Sequence, residues 1–340
     1  MKMIPVREAV GHVLCHDITQ IIPGGFKGRR FAKGHIITEE DIPVLLSLGK
    51  DNIYVWEMNE NMVHENDAAV FLKDIAMGSG LTYSEIKEGK ITFTAAQDGL
   101  LKVDTDLLYQ LNLLGQICFA TLRADSMIRK GQAAGAARII PLAIEKEKLE
   151  SARRLLNGRK IISVQPLRRL RVGIVTTGNE VYYHRIEDGF GPVLQQKLRY
   201  YGCEDAGQIM VPDDQDEIVE AITSWLDQGA DAVFCTGGMS VDPDDRTPAA
   251  IRQSGCRIVS YGSPVLPGAM FLLAYSRDGR PVLGLPGCVM HSKNTVFDLV
   301  FPRILAGEEL TREDLARYGN GGYCMNCEEC RFPNCQFGKY

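Results

Sequence analysis

At 340 residues the chain is long enough for about two or three domains, and its 45% hydrophobic and 24% charged composition is that of a folded globular protein. The 38 basic and 43 acidic residues leave a net charge of −5 with no long basic run, so a nucleic-acid partner is not expected. No apolar stretch approaches the ~18–20 residues that cross a bilayer. No membrane partner is therefore expected, and because Met1–Asp17 lacks the apolar core of a secretory leader, a cytoplasmic protein is.

From Met1 to about Arg168 the chain reads as an N-terminal β-rich (α+β) region of two modules, about 1–60 and 61–168. Thr38–Gly49 carries a capping threonine, an acid three positions later and a terminating glycine, which predicts a short helix, and DNIYVWE predicts a strand after it. Ile91–Ile144 consists of short strands punctuated by glycine, the pattern of a small barrel-like unit. Glu145–Leu156 is a polar helical stretch suited to a connector.

From Leu170 the rhythm changes to strands alternating with helices, the signature of βαβ units and a parallel sheet covered on both faces. LRVGIVTTG, CEDAGQIMV, DAVFCTGG and PVLGL read as strands. VLQQKLRYYG and PDDQDEIVEAITSWLDQG read as helices, the latter with Ile218, Ile222, Trp225 and Leu226 on one face. A last helix is expected from about Cys288 to Leu305, with Val296, Leu299 and Val300 on its apolar side. The fold class is thus α/β: a three-layer parallel-sheet domain over 169–308, followed by a Cys-rich metal-binding tail over 309–340.

In such sheets, ligands bind beyond the C-terminal ends of the strands, where three segments fall. In TGGMSVDPDDRTP, Gly237 and Gly238 let the backbone approach an anion and Ser240 offers a hydroxyl. Asp244 and Asp245 suit a divalent cation held between carboxylate and phosphate, or equally the cap of the helix RTPAAIRQS. TTGNE brings Thr177, Gly178 and Glu180 to the same edge, although a single loop glutamate is more often a surface charge. Asp214 with Glu217 forms a capping box. GLPGCVMHS brings Pro286, Gly287, Cys288 and His291, and a thiol opening a helix has its pKa lowered by the dipole, although a packed thiol is the commoner case. No pair among the six histidines has metal-ligand spacing on one element.

The other sharp feature is CMNCEECRFPNC, with Cys324, Cys327, Cys330 and Cys335 at intervals of three, three and five. In a reducing compartment this is a metal pattern; ligands in one short run suit an iron–sulfur cluster, with zinc as the alternative.

The motifs VGIVTTGNEV, CTGGMSVDPDDRT and VLGLPGC, in this order, resemble the molybdopterin-binding domain of molybdenum-cofactor biosynthesis proteins, most closely the molybdopterin molybdotransferase branch. DDRT is also similar to the competence/damage-inducible and adenylyltransferase branches, and FAKGHIITEEDIPVLLSLGKDNIYV to the small β-rich modules of the molybdotransferases. The resemblance implies molybdopterin or its adenylate as ligand, with Mg²⁺ and molybdate nearby. It implies that Gly237, Gly238 and Ser240 touch pterin or phosphate, that Glu180 and Asp245 are metal-associated catalytic carboxylates joined by Asp214, and that Pro286 and Gly287 floor the pocket. A homo-oligomer is implied too.

Two departures bear on this. The lysine-rich KPGKP loop of the family is replaced by VLPGAM, with Leu266 and Ala269 at the lysine positions, and Pro-Gly-Asn-Pro by Pro286-Gly287-Cys288-Val289. Three functions follow as expectations: a molybdotransferase-like enzyme; a non-catalytic molybdopterin carrier or sensor whose tail docks on a molybdenum–iron oxidoreductase; and a nucleotide-processing enzyme of the competence-related branch.

Overall fold

A computed structural model describes residues 2–22, 25, 27–55 and 61–339, which fall into two compact units. Unit 1 comprises Met1–Gln97, Leu101–Ala124 and Ile128–Val164, and has two separate cores. The first gathers Val6, Leu14, Leu45 and Ile53 among β1 (Lys2–Pro5), β2 (Ile18–Ile21), β3 (Lys27–Phe31), α1 (Asp41–Ser47) and β4 (Asn52–Val55). β1 pairs with β4 and β2 with β3, both antiparallel. The helix expected over Thr38–Gly49 narrows to α1, whose start is set by Asp41 accepting from the N–H and the hydroxyl of Thr38 (both 2.9 Å). Trp56 and Glu57 of the expected strand DNIYVWE lie outside the described residues.

The second core lies among β5 (Met62–His64), α2 (Glu65–Ala76), β6 (Leu81–Tyr83), β7 (Ile91–Ala95), β8 (Gly99–Val103), α3 (Thr105–Leu113), β9 (Ile117–Thr121), β10 (Ser126–Ile128), β11 (Ala133–Ile139), β12 (Ala143–Glu145), α4 (Lys146–Leu156) and β13 (Ile162–Gln165). Its largest sheet is open and antiparallel, in the order β6-β7-β11-β9. The barrel expectation is thereby corrected: helices supply the second layer, with Ala68, Ala69 and Leu72 of α2 and Leu149, Ala152 and Leu156 of α4 buried in this core. The stretch expected as a connector is α4, whose apolar stripe packs here.

Unit 2 comprises Asp98–Leu100, Asp125–Met127 and Gln165–Tyr340. Its sheet is built from β14 (Arg171–Thr177), β15 (Glu204–Val211), β16 (Ala232–Thr236), β17 (Arg257–Tyr261), β18 (Leu272–Tyr275) and β19 (Pro281–Leu285), in the order β15-β14-β16-β19-β18-β17. Four strands are parallel, whereas β18 and β17 add an antiparallel edge that the alternating pattern did not reveal. Helices α5 (Asn179–Tyr182), α6 (Phe190–Tyr200), α7 (Gln215–Asp227), α8 (Thr247–Gln253), α9 (Val296–Leu305) and α10 (Arg312–Arg317) complete the unit.

Strand residues alternate between two cores, as the pleat requires. Val172, Ile174, Phe234, Leu283 and Leu285 face α6, α9 and α10, while Val175, Val233, Cys235 and Val282 face α7 and α8. Gly173 leaves room for the Trp225 indole, which a Cβ there would meet at 2.4 Å, and the indole N–H donates to the Ile174 carbonyl (3.1 Å).

The last helix begins at Val296, not near Cys288. Gly287–Met290 forms a separate 3₁₀ turn, and Thr295 with Asp298 makes the capping box that starts α9. All ten residues of α9 are buried, because α10 and the C-terminal segment cover its outer face: Leu310, Leu315, Tyr318 and Phe337 share its core. Residues 309–340, read from sequence as a separate tail, pack as part of unit 2. Among the described residues no helix is long and apolar enough to cross a membrane.

Candidate functional site

Sheet register assembles the site. Thr176 stands opposite Thr236, and Thr236 opposite Leu285, so Gly178, Gly237 and Pro286 leave the sheet at one edge. Gly237 must be glycine: its φ is +82°, and a Cβ would stand 2.0 Å from the Thr177 carbonyl oxygen. Buried hydroxyls hold the turn from below. Thr247 Oγ1 donates to the Gly237 carbonyl (2.8 Å) and lies 3.3 Å from Thr177 Oγ1, while Thr236 Oγ1 donates to Thr176 Oγ1 (3.2 Å). Gln208 bridges Thr176 Oγ1 and Asp188 (both 2.7 Å), and Asp188 accepts the N–H groups that open α6.

Above this turn is a cavity of about 650 Å³, a size suited to a small-molecule ligand. Gly237, Gly238, Ser240, Asp245, Pro286 and Gly287, all singled out from sequence, line it together. The Leu266–Met270 segment, Cys288 and His291 are also part of its wall. Among the lining residues the only formal acid is Asp245, and none is Lys or Arg.

The remaining candidates lie off the cavity. Thr177 is buried beneath the Gly-Gly turn, and Gly178 opens α5. Glu180, Asp214 and Asp244 are exposed and do not line the cavity. Asp214 caps α7, accepting from the N–H groups of Asp216 and Glu217 (3.0 and 3.1 Å). Neither Asp244 nor Asp245 caps α8, whose N-cap is Arg246; Asp245 instead accepts from the Asp242 N–H (3.0 Å) within its own loop. Among the described residues no three or more His, Cys, Asp or Glu side chains are gathered to hold a metal ion, so Glu180, Asp214 and Asp245 do not form a three-carboxylate site. Cys288 sits in a single 3₁₀ turn rather than at a helix start, and burial pushes its thiol pKa up, which corrects the lowering expected from a helix dipole.

Two lining or supporting residues escaped the sequence reading. Phe190 reaches the cavity from the start of α6. Tyr261 donates its hydroxyl to the carbonyls of Met239 and Ser240 (3.0 and 2.9 Å), which holds the Gly-Gly loop from its far side. RIVSYG reads as a strand but carries no signal of its direction: two antiparallel pairings make β17 run in the direction of β19, so its C-terminal Tyr261 reaches the same edge.

A glycine-turn cavity at the carboxyl edge of a three-layer sheet defines an α/β small-molecule-binding domain. Residues 173–306 match the family profile described as a probable molybdopterin binding domain, and residues 3–57 match a domain of unknown function. A molybdopterin molybdenumtransferase of Synechococcus elongatus is 27% identical over 156 residues, 43% of this chain and 39% of that protein. A CinA-like protein of Syntrophus aciditrophicus is 34% identical over 85 residues, 25% of this chain and 20% of that one. The chain thus spans well under half the length of these curated relatives. Among solved structures, the molybdopterin biosynthesis enzyme MoaB of Thermus thermophilus aligns at 20% identity and a TM-score of 0.32, covering 41% of this chain and 98% of that one. The tungsten cofactor synthesizing protein MoaB of Pyrococcus furiosus aligns at 23% and 0.31, covering 36% and 84%. Residues 173–306 are a molybdopterin-binding domain of the molybdenum-cofactor biosynthesis type.

Proposed function

We propose that the chain binds molybdopterin or its adenylate in the cavity above Gly237 and Gly238 and acts in molybdenum-cofactor biosynthesis as a molybdotransferase-like protein. The observation that carries this is the coincidence of the family match over 173–306 with a cavity lined by its glycine turn. Backbone N–H groups of the turn and the Ser240 hydroxyl would take the phosphate. Mg²⁺ fits as an ion held by one protein carboxylate, Asp245, with phosphate oxygens and water supplying its other ligands, the usual arrangement for this ion. Bound there, it would neutralise phosphate charge. Glu180 and Asp214 have no place in that shell.

The cavity's lack of Lys and Arg favours a second reading, a carrier that binds the cofactor without inserting molybdate. Homo-oligomerisation, docking on a molybdoenzyme, and an iron–sulfur cluster or zinc on Cys324, Cys327, Cys330 and Cys335 belong to the same proposal.

The test is anaerobic purification from cells that make the cofactor, followed by assay of released pterin, rebinding of molybdopterin, and Mg²⁺-dependent turnover of the adenylate by the wild type and Asp245→Ala. Stoichiometric pterin with turnover lost in Asp245→Ala supports the enzyme. Tight binding without turnover selects the carrier. A protein that neither carries nor rebinds pterin refutes both and puts the nucleotide-processing reading first.

A further inference from the structure

Unit 1 holds a cavity of about 780 Å³ that the proposed function leaves unused. Asp17, Arg29 and Lys33, beside or on β2 and β3, line one part of it. Glu65, which opens α2, and Glu85, Lys87 and Glu88 of the β6–β7 loop line the other. A carboxylate in a first helical turn suits the helix dipole, but one that served only the dipole would stay in water. The Glu65 side chain is only 6% exposed. Neither of its oxygens accepts a hydrogen bond from a described residue, and Arg138 Nη2 stands 3.7 Å from Oε2, beyond hydrogen-bond length. Neither oxygen is sealed from solvent, because among the described residues only His16 Nδ1 and Arg280 Nε are fully buried side-chain polar atoms without a partner. The carboxylate therefore looks into the cavity that Glu65 lines. The β6–β7 loop is drawn tightly against it: Gly89 has φ +70°, its N–H donates to Asn66 Oδ1 (3.2 Å), and a Cβ there would stand 2.5 Å from Glu65 Oε2. Burial raises the Glu65 pKa in spite of the opposing pull of His64, Arg138 and Lys33, so folding leaves this acid desolvated and without donors. An acid kept in that state at a cavity is the mark of a binding group.

We propose that this cavity is a second ligand site, and that it takes a small organic cation whose guanidinium or amidinium group donates two parallel N–H bonds to the open oxygens of Glu65. The site is separate from the unit 2 cavity and does not depend on what that cavity binds. The lining selects the charge of the ligand. Asp17 pairs with Arg29 (3.4 Å), Lys33 Nζ lies 3.0 Å from His64 Nδ1, and Glu88 accepts from the Thr19 hydroxyl (3.1 Å). Two of the three lining cations are thus engaged, while Glu65 and Glu85 remain to meet a positive charge. Among the described residues no three His, Cys, Asp or Glu side chains are gathered for a metal ion, so the cation is an organic one that brings its own N–H donors. The two open oxygens select its shape. A planar fork of two N–H groups matches both oxygens of one carboxylate, whereas an ammonium acts as a point charge and fixes no such pair.

The experiment titrates the full chain calorimetrically with agmatine, and with putrescine as the matching diamine that lacks the guanidinium. The expected result is one agmatine per chain with a Kd of about 1 mM or tighter, and putrescine at least tenfold weaker. Glu65→Gln keeps the shape of the side chain and removes its charge; it should bind agmatine at least tenfold more weakly with no fall in melting temperature. Asp245→Ala, in the unit 2 cavity, should bind agmatine like the wild type. On the wild-type chain, saturating agmatine should slow carbodiimide labelling of Glu65 at least tenfold, a readout that holds even if Glu65→Gln fails to fold. Putrescine binding as tightly as agmatine overturns the guanidinium assignment. Affinity kept in Glu65→Gln and lost in Asp245→Ala places the cation in the other cavity and overturns the site, as does the absence of both saturable binding and protection of Glu65.

Discussion

Gly237→Ala is the substitution that most directly tests how the site is built. An L-residue held at φ +82° bears a backbone penalty of about 1–2 kcal/mol. The added methyl would also stand 2.0 Å from the Thr177 carbonyl oxygen, a backbone atom of β14 that no side-chain rotation can clear. Forcing that contact apart adds about 1–3 kcal/mol, the range for overpacking a well-packed core. Gly279→Ala is the matched control, since Gly279 has nearly the same φ, +84°, but a methyl there would have nothing within 4 Å. At roughly 2–4 °C per kcal/mol for a unit of this size, calorimetry should find the unit 2 transition lowered by about 2–8 °C in the control. In Gly237→Ala the combined penalty of about 2–5 kcal/mol gives about 4–20 °C on the same scale. Molybdopterin affinity should fall at least tenfold in Gly237→Ala only, because on the proposed reading the displaced turn carries the N–H groups that meet the ligand. Equal melting shifts in the two variants, or undiminished pterin affinity in Gly237→Ala, would refute the argument that Thr177 supports this turn from below.

Two further predictions concern the Lys197–Asp298 pair and Cys288. Lys197 pairs with Asp298 at 2.7 Å, with side chains only 13% and 5% exposed, and Tyr201 donates to the same carboxylate; Lys197→Met leaves that charge buried and unpaired and should cost about 3 kcal/mol or more in urea unfolding. A loss under about 1 kcal/mol would mean that the pair is not buried in solution. For Cys288, burial raises the thiol pKa above its ordinary value, so the unreactive protonated form prevails at neutral pH and site-resolved alkylation should still be climbing as pH passes the usual thiol range; a rate already at its plateau near pH 7 would instead mark an activated thiolate.

The sequence made the parallel part of the sheet legible because β14, β16 and β19 are apolar runs closed by glycine turns, and the register then brings Gly237, Gly238, Ser240, Asp245, Pro286 and Gly287 to one cavity. The antiparallel edge was not legible. β18 and β19 are joined by the short polar turn Ser276–Arg280, but LLAY before it is too short and too uniformly apolar to show a period, and periodicity alone does not give the direction of a buried strand. That gap hid Tyr261, whose role depends on β17 running alongside β19. Glu180 and Asp214 were chosen by chain position at the correct edge. A loop side chain's direction is set by local hydrogen bonds, though, and Asp214 is committed to the first turn of α7. The start of the last helix was placed too early for a related reason. The apolar residues of GCVM continue the helical pattern, but the Thr295–Asp298 capping box breaks the chain into a 3₁₀ turn and a new helix.

Charge is what separates binding a pterin phosphate from inserting molybdate beside it. With Leu266 and Ala269 at the positions where the family carries lysines, the cavity lining has one carboxylate, one imidazole and no fixed cation. Two unit charges about 4 Å apart interact by about 4 kcal/mol at an effective dielectric of about 20, so each missing lysine forgoes stabilisation of that order for an anion in contact with it. On the proposed reading, backbone N–H groups at the Gly-Gly turn and one divalent ion at Asp245 would balance a single phosphate. A second oxyanion placed against the first meets repulsion of the same size with no side chain to offset it. The apolar Leu266–Met270 wall also favours the flat body of a pterin over a hydrated tetrahedral anion, because burial without paired donors costs about 2–7 kcal/mol even for a neutral polar group and more for an ion. On the proposed reading this lining would therefore support retention of the cofactor directly, with insertion requiring positive charge from outside it.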